Sequence, residues 1–217
     1  LAPVLKTVAS RRFPDRRSRA LANGAAVVAG SAATLLHGLA RTIRDPKIGH
    51  PASRVSAREL AGIDELWSRL GPRFSWTCER SEEFINWRCF EHPARNFAVL
   101  IARSSRVDGF AIVRNQDRGS AGRALEIVDF FADPLDTETC DRLLAACVDL
   151  AKDEEASFIE FKWGAAGFEP TMKRWGFIAR DYGYNPCLWV SPRDVLIASF
   201  PSDDVWHRTA IDGDAAI

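Results

Sequence analysis

Apolar and polar positions fall into a strand–helix–strand order in the second half of the chain. Residues 125–131 gather Leu125, Ile127, Val128, Phe130 and Phe131 and close on Asp133-Pro134, the composition of a buried strand. The apolar positions then switch to helical spacing at Leu143, Leu144, Cys147, Val148, Leu150 and Ala151. Asp136 is the expected N-cap, and Glu138 lies in the first turn, where the helix dipole favours an anion. Residues 158–163 return to a short apolar strand. Strand, helix and strand within about 40 residues predict a crossover that places both strands in one sheet.

Two helices and a hairpin precede that unit. Leu60, Ile63, Leu66, Trp67 and Leu70 predict a helix over 56–70, ended by Gly71-Pro72. Ser81, followed by Glu82 and Glu83, opens a second helix carrying Phe84, Ile85, Trp87 and Phe90, which ends near His92-Pro93. Residues 97–102 and 109–114 read as paired strands around a polar turn, and a loop over 115–123 leads into Leu125, an antiparallel meander. Downstream, a short helix is expected through Met172 to Trp175, with strand candidates at 177–179 and 187–190. Upstream, residues 20–40 form a weakly apolar run between basic flanks. Asn23, Ser31, Thr34, His37 and three glycines favour a packed or interfacial helix there over a membrane span. Residues 41–58, with Pro46, Gly49 and Pro51, read as a linker. The expected organisation is a basic helical arm and linker at 1–58 and an α/β domain at 59–217.

Composition adds a charge asymmetry. The 217 residues are 47% hydrophobic and 27% charged, as in a globular protein. Residues 1–58 hold eleven Lys/Arg and two Asp, and the remainder holds eighteen Lys/Arg and twenty-seven Asp/Glu, so +9 and −9 cancel. The favoured reading is an arm docked on an acidic body, with no nucleic-acid partner; an arm that contacts a membrane surface or nucleic acid is the competing class. The five cysteines are odd in number and lack metal or redox spacing, which points to a reducing, cytoplasmic compartment. The four histidines are scattered, and no metal site is expected.

Several stretches together carry a resemblance. They are Glu83-Phe84-Ile85-Asn86-Trp87-Arg88 with His92-Pro93, Val107-Asp108-Gly109-Phe110-Ala111, Ile127-Val128-Asp129-Phe130, Gly176-Phe177, and the tail residues Trp206, Thr209 and Asp212-Gly213-Asp214. Over residues 80–214 the chain resembles the GNAT acyltransferase superfamily, in particular a branch found with bacterial surface-polysaccharide genes. The resemblance implies an α/β fold with a mixed sheet, an antiparallel meander and a β-α-β crossover. It implies acetyl-CoA as cofactor and acyl transfer to an amine, such as an amino sugar. It also implies two GNAT-like halves in tandem, with the acetyl-CoA site in the first; this chain, which begins with Leu rather than Met, resembles the second half behind a connecting helix.

The departures from that family bear on the chemistry. The family cradles the diphosphate of acetyl-CoA on a glycine-rich loop at the start of the crossover helix, where backbone N–H groups converge. Here the place reads Ala132-Asp133-Pro134-Leu135-Asp136-Thr137, without glycine and with two carboxylates. A literal match, Gln116 to Ala121, lies in the hairpin loop instead, which makes Arg118 and Arg123 the candidate cofactor contacts. The family's acid, a Tyr four residues before Gly-Phe, is Met172 here, and the two tyrosines come later: Tyr182 is the candidate acid and Tyr184 an acceptor contact. Glu126 and Asp129 are the candidate bases, weighed against a solvated carboxylate for Glu126 and a hydrogen-bonded buried one for Asp129, and expected on opposite strand faces because their spacing is odd. Trp87, Arg88 and His92 are the candidate acceptor contacts, with Arg88 and His92 sharing a helix face; the competing role for Arg88 is an ion pair with Glu91 or Asp129. The expected function is a GNAT-like half of an N-acetyltransferase without a complete acetyl-CoA loop. The alternative is a non-catalytic half that binds the acceptor or is purely structural.

Overall fold

Five strands form one mixed sheet in the order β1-β2-β3-β4-β5: β1 (Ser53–Val55), β2 (Phe97–Arg103), β3 (Val107–Asp117), β4 (Arg123–Ala132) and β5 (Phe158–Phe161). Among the described residues four α-helices accompany them: α1 (Ile63–Leu70), α2 (Glu82–Asn86), α3 (Thr137–Asp153) and α4 (Glu169–Arg174). The computed structural model describes residues 51–74, 77–93, 96–161 and 167–179, with residues 209 and 211. Neighbours from β1 to β4 pair antiparallel, and β5 lies parallel to β4 after the α3 crossover.

The sheet is buried on both faces, which is why β2 and β4 read as near-continuous apolar runs. One face carries Ala98, Leu100, Ala111, Val113, Leu125, Ile127 and Phe130 against Cys140, Leu143, Leu144 and Cys147 of α3 and Met172 of α4. The other carries Val99, Ile101, Phe110, Ile112, Val128 and Phe131 against Ile63, Leu66 and Leu70 of α1 and Ile85 of α2. Asp136 caps α3 as expected, its Oδ1 accepting from the Thr139 N–H at 3.0 Å.

One irregularity in β4 redirects its side chains. Ile112 stands opposite Asp129, but its neighbour Val113 stands opposite Ile127, so Val128 is an extra residue, a β-bulge. The bulge flips the alternation. Leu125 and Ile127 face α3, and so do Phe130 and Ala132 beyond it. Glu126 therefore shares the α1/α2 face with Val128, Asp129 and Phe131. The expectation that Glu126 and Asp129 point to opposite faces fails because an odd spacing across a bulge preserves the face.

Other boundaries also move. Ser53–Val55 pairs with β2, so the sheet reaches into the stretch read as a linker and across the boundary expected at residue 58. The helix expected over 56–70 begins at Ile63; Ser56 instead donates from its N–H and Oγ to the Glu59 carboxylate at 2.9 and 2.8 Å, closing a separate short turn. Residues 177–179 form no strand. The arm at 1–50, the strand expected at 187–190, and Tyr182 and Tyr184 lie outside the described residues. Among the described residues no helix is long and apolar enough to cross a membrane.

Gly109 sits where β3 meets the end of β4, and a Cβ there would lie 2.8 Å from the Ala132 Cβ and 3.0 Å from the Phe131 carbonyl oxygen. Gly109→Ala is expected to cost about 1–3 kcal/mol, read as a lower urea midpoint at unchanged m-value. Burial pushes the thiols of Cys89, Cys140 and Cys147 up to about 12, with the Asp129 charge adding at Cys89. The folded state thus holds protons that the unfolded chain releases from about pH 8.5. Stability is expected to be unaffected by these groups below that pH and to fall as pH rises toward 12. At pH 8 a thiol reagent should modify exposed Cys78 and leave these three untouched until denaturant is added.

Candidate functional site

The site predicted from the sequence centres on β4, where Glu126 and Asp129 are both fully buried. An ionised carboxylate in such a place must be answered by charge and hydrogen bonds. Arg114, opposite Glu126 on β3, donates from Nε to Glu126 Oε2 at 2.9 Å, and its guanidinium lies 6.0 Å from the Phe97 ring centre. Arg118 adds its charge 3.6 Å from the same oxygen and also pairs with Glu160 on β5, Nε to Oε1 at 2.9 Å.

Asp129 is held by a different set. Arg80, itself inaccessible, donates from Nε to Asp129 Oδ2 at 2.9 Å. Asp129 Oδ1 accepts from Thr209 Oγ1 at 2.8 Å and from the Phe130 N–H at 2.9 Å. Arg80 further donates to Thr77 Oγ1 at 2.7 Å and the Cys78 carbonyl at 2.5 Å, and its guanidinium stands 5.7 Å from the Phe131 ring centre. A general base must reach the proton it removes. Both carboxylates instead face arginines within the fold: Asp129 is buried and hydrogen-bonded, as its alternative had it, whereas Glu126, weighed as solvated, is fully buried against Arg114.

The loop between β4 and α3 is closed on itself. Asp133 Oδ1 accepts from the Leu135 N–H at 3.0 Å, and the Asp133 carbonyl accepts from the Asp136 N–H at 3.0 Å. The Leu135 carbonyl takes the Thr137 N–H at 3.1 Å, and Asp136 takes that of Thr139. Pro134 has no N–H to offer. Asp133 also pairs with Arg73, from the turn that follows α1. Gly167, at φ 97°, lies so close that a Cβ there would be 3.0 Å from the Pro134 Cβ. The amides that would converge on a diphosphate at this helix end are already engaged, so the residues present do not fit acetyl-CoA.

Arg118 and Arg123 do not reach that loop. Arg123 opens β4 and Arg118 lies in the hairpin loop before it, and the ten residues of β4 put Arg123 roughly 30 Å from Asp133. Arg118 is committed to Glu126 and Glu160, and Arg123 donates to the Glu154 carbonyl at the end of α3. The acceptor candidates come together differently from expectation. Trp87–Glu91 is a π-helical turn, in which the His92 N–H bonds to the Trp87 carbonyl at 2.9 Å, so residue i+5 rather than i+4 lies one turn on. Trp87 is 50% exposed, with the His92 ring edge-on at 6.3 Å and Phe84 tilted at 6.3 Å. Arg88 is buried, with its guanidinium 6.0 Å from the Trp87 ring centre, and Asp129 pairs with Arg80. Among the described residues no group of three or more His, Cys, Asp or Glu side chains is placed to hold a metal.

Arg80, Arg114 and Thr209 were missed by sequence reasoning. Arg114 could have been found, because it ends an apolar strand that pairs with the strand carrying Glu126. Arg80 and Thr209 lie 49 and 80 residues from Asp129; Thr209 stands out in the sequence only as one of the tail residues of the resemblance, and no local pattern marks either as a partner of Asp129.

No protein-family model and no curated protein matches the chain. Among solved structures, it is similar to a ribosomal-protein-alanine N-acetyltransferase from Brucella melitensis biovar Abortus 2308, with 15% identity, 63% of this chain and 99% of that one covered, and a TM-score of 0.49. It is also similar to a predicted acetyltransferase from Clostridium acetobutylicum crystallised with acetyl-CoA, with 14% identity, coverage of 68% and 96%, and a TM-score of 0.47. An aminoglycoside acetyltransferase from an uncultured soil metagenomic sample, in complex with sisomicin, shares 10% identity, with coverage of 64% and 95% and a TM-score of 0.48.

Asp129→Ala leaves the Arg80 charge buried without its partner and is expected to lower stability by about 3–5 kcal/mol. The double variant Arg80→Met/Asp129→Leu, which removes both charges, should recover most of that loss in a urea titration.

Proposed function

We propose that this chain is an acyltransferase-type domain without a donor site of its own, working beside a companion GNAT half that holds acetyl-CoA. Its task is to shape the acceptor side for acyl transfer to an amine, such as an amino sugar of a surface polysaccharide, in the cytoplasm. The observation that carries this reading is the closed start of α3, where Asp133, Leu135 and Asp136 consume the amides that a diphosphate needs. Two carboxylates beside a diphosphate would also repel it. The half-exposed Trp87, edged by His92 and by the Asn86–Glu91 hydrogen bond, supports the acceptor role. A flat aromatic face with polar groups at its rim suits a saccharide ring. Tyr182 and Tyr184 are candidates for proton donation and acceptor contact on the same reading.

Calorimetric titration of acetyl-CoA into residues 1–217 tests it. The expected result is no saturable heat up to millimolar ligand, whereas the companion half saturates. Saturable micromolar binding by this chain alone would overturn the reading.

A further inference from the structure

A cavity of about 350 Å3 opens where α1 ends, lined by Trp67, Ser68, Gly71, Pro72, Phe74 and Thr77. Phe131, near the end of β4, braces its aromatic wall: the Phe131 ring centre lies 5.7 Å from that of Trp67 and 5.6 Å from that of Phe74. Gly71 allows the turn after α1 to lie close against the indole, since a Cβ there would stand 3.1 Å from three Trp67 ring atoms. None of the six lining residues carries a charge. An ion entering the hollow would lose hydration and meet no counter-charge on its walls.

The two hydroxyls of the hollow have already given their hydrogens to the fold. Ser68 Oγ donates to the Asp64 carbonyl at 2.8 Å, and Thr77 Oγ1 donates to the Cys78 carbonyl at 3.3 Å. Thr77 Oγ1 also accepts from Arg80 Nη1 at 2.7 Å, and Arg80 is wholly inaccessible and paired with Asp129. That buried cation orients the Thr77 hydroxyl, because its hydrogen must point away from Arg80. A hydroxyl has one hydrogen and two lone pairs. Among the described residues, Ser68 keeps two lone pairs and Thr77 one. The backbone of this wall offers little to an acceptor: the Gly71 N–H bonds to the Trp67 carbonyl, the Phe74 N–H bonds to the Gly71 carbonyl at 3.0 Å, and Pro72 has none. The hollow thus joins an uncharged aromatic wall to hydroxyl oxygens that call for donors, in a volume suited to a small molecule.

We infer that this hollow is a second ligand site, taking one neutral pyranose unit, with the C–H face of the sugar on Trp67 and Pro72 and its hydroxyls donating to Ser68 and Thr77. A pyranose combines an apolar ring face with a rim of O–H donors, which is the complement of these walls. A plain aromatic ring would leave the hydroxyl oxygens unmatched, and a carboxylate would meet lone pairs and no cation. Trp87 is not among the lining residues, so the site is separate from the acceptor platform. A neutral sugar has no amine, so it is held there without being acylated, and the inference stands apart from the acyl-transfer reading.

The test is titration of residues 1–217 with methyl glucopyranoside, glucuronate and phenol, followed by ligand-observed NMR. Methyl glucopyranoside should saturate in the millimolar range and outbind both other probes. Thr77→Val, which removes the hydroxyl and keeps its shape, should weaken that binding by roughly fivefold, the share of one hydrogen bond, and Thr77→Ser should restore it. Ser68→Phe, at an exposed position that accepts a larger side chain, should abolish binding by filling the hollow, and it keeps the test open if Thr77→Val does not fold. Trp87→Ala should leave it unchanged. Absence of saturation by methyl glucopyranoside, glucuronate or phenol binding as well as it does, binding unchanged in Ser68→Phe, or binding lost in Trp87→Ala overturns the inference. None of these results bears on whether acetyl-CoA binds at α3.

Discussion

Two carboxylates sit on the most enclosed strand of the sheet, and the groups that answer their charge tie the rest of the described structure together. Glu126 draws Arg114 from β3 and Arg118 from the hairpin loop, and Arg118 in turn engages Glu160 on β5. Asp129 draws Arg80 from the segment before α2 and Thr209 from near the end of the chain. The two sets therefore tie β3, β4, β5, the residues before α2 and Thr209 together. Burying ions in this way is costly unless every partner is present, so the arrangement favours one packing over looser alternatives more than it adds net stability.

The Val128 bulge makes this possible. Without an extra residue, strict alternation would send one of the two carboxylates toward α3, into a face lined by Leu143, Leu144 and Phe130 with no arginine among its core residues. With it, both acids reach the face where arginines enter from the loops. The same arrangement engages Glu126, Asp129 and Arg118 in ion pairs within the fold.

The start of α3 follows the same logic on a smaller scale. Asp133 and Asp136 act as local acceptors that satisfy the helix and turn amides from within. A glycine-rich loop leaves such amides open because it has no side chains to fill them. Acidic residues in their place produce a self-contained turn, braced by Arg73 and by the backbone at Gly167.

Local pattern alone was enough for the meander of β2, β3 and β4, the α3 crossover with its Asp136 cap, and the missing glycines after β4, because period, caps and turn residues act over a few positions. It misread β1, whose three residues are too few to carry a period, and the separate turn at Ser56–Glu59, where a side-chain bond outcompetes the helix. It also misjudged the faces of Glu126 and Asp129, since a bulge is a property of pairing between two strands and leaves no mark on either one alone. The partners of the buried acids, Arg80 and Thr209 above all, are brought together only by folding, across 49 and 80 residues of chain. The sequence by itself determined the strands and the crossover helix that carry the acids and which amide the α3 loop would lack. The tertiary structure decided which charges meet, because burial makes an unpaired ion too costly to leave and only the closed fold sets the distances over which pairs can form.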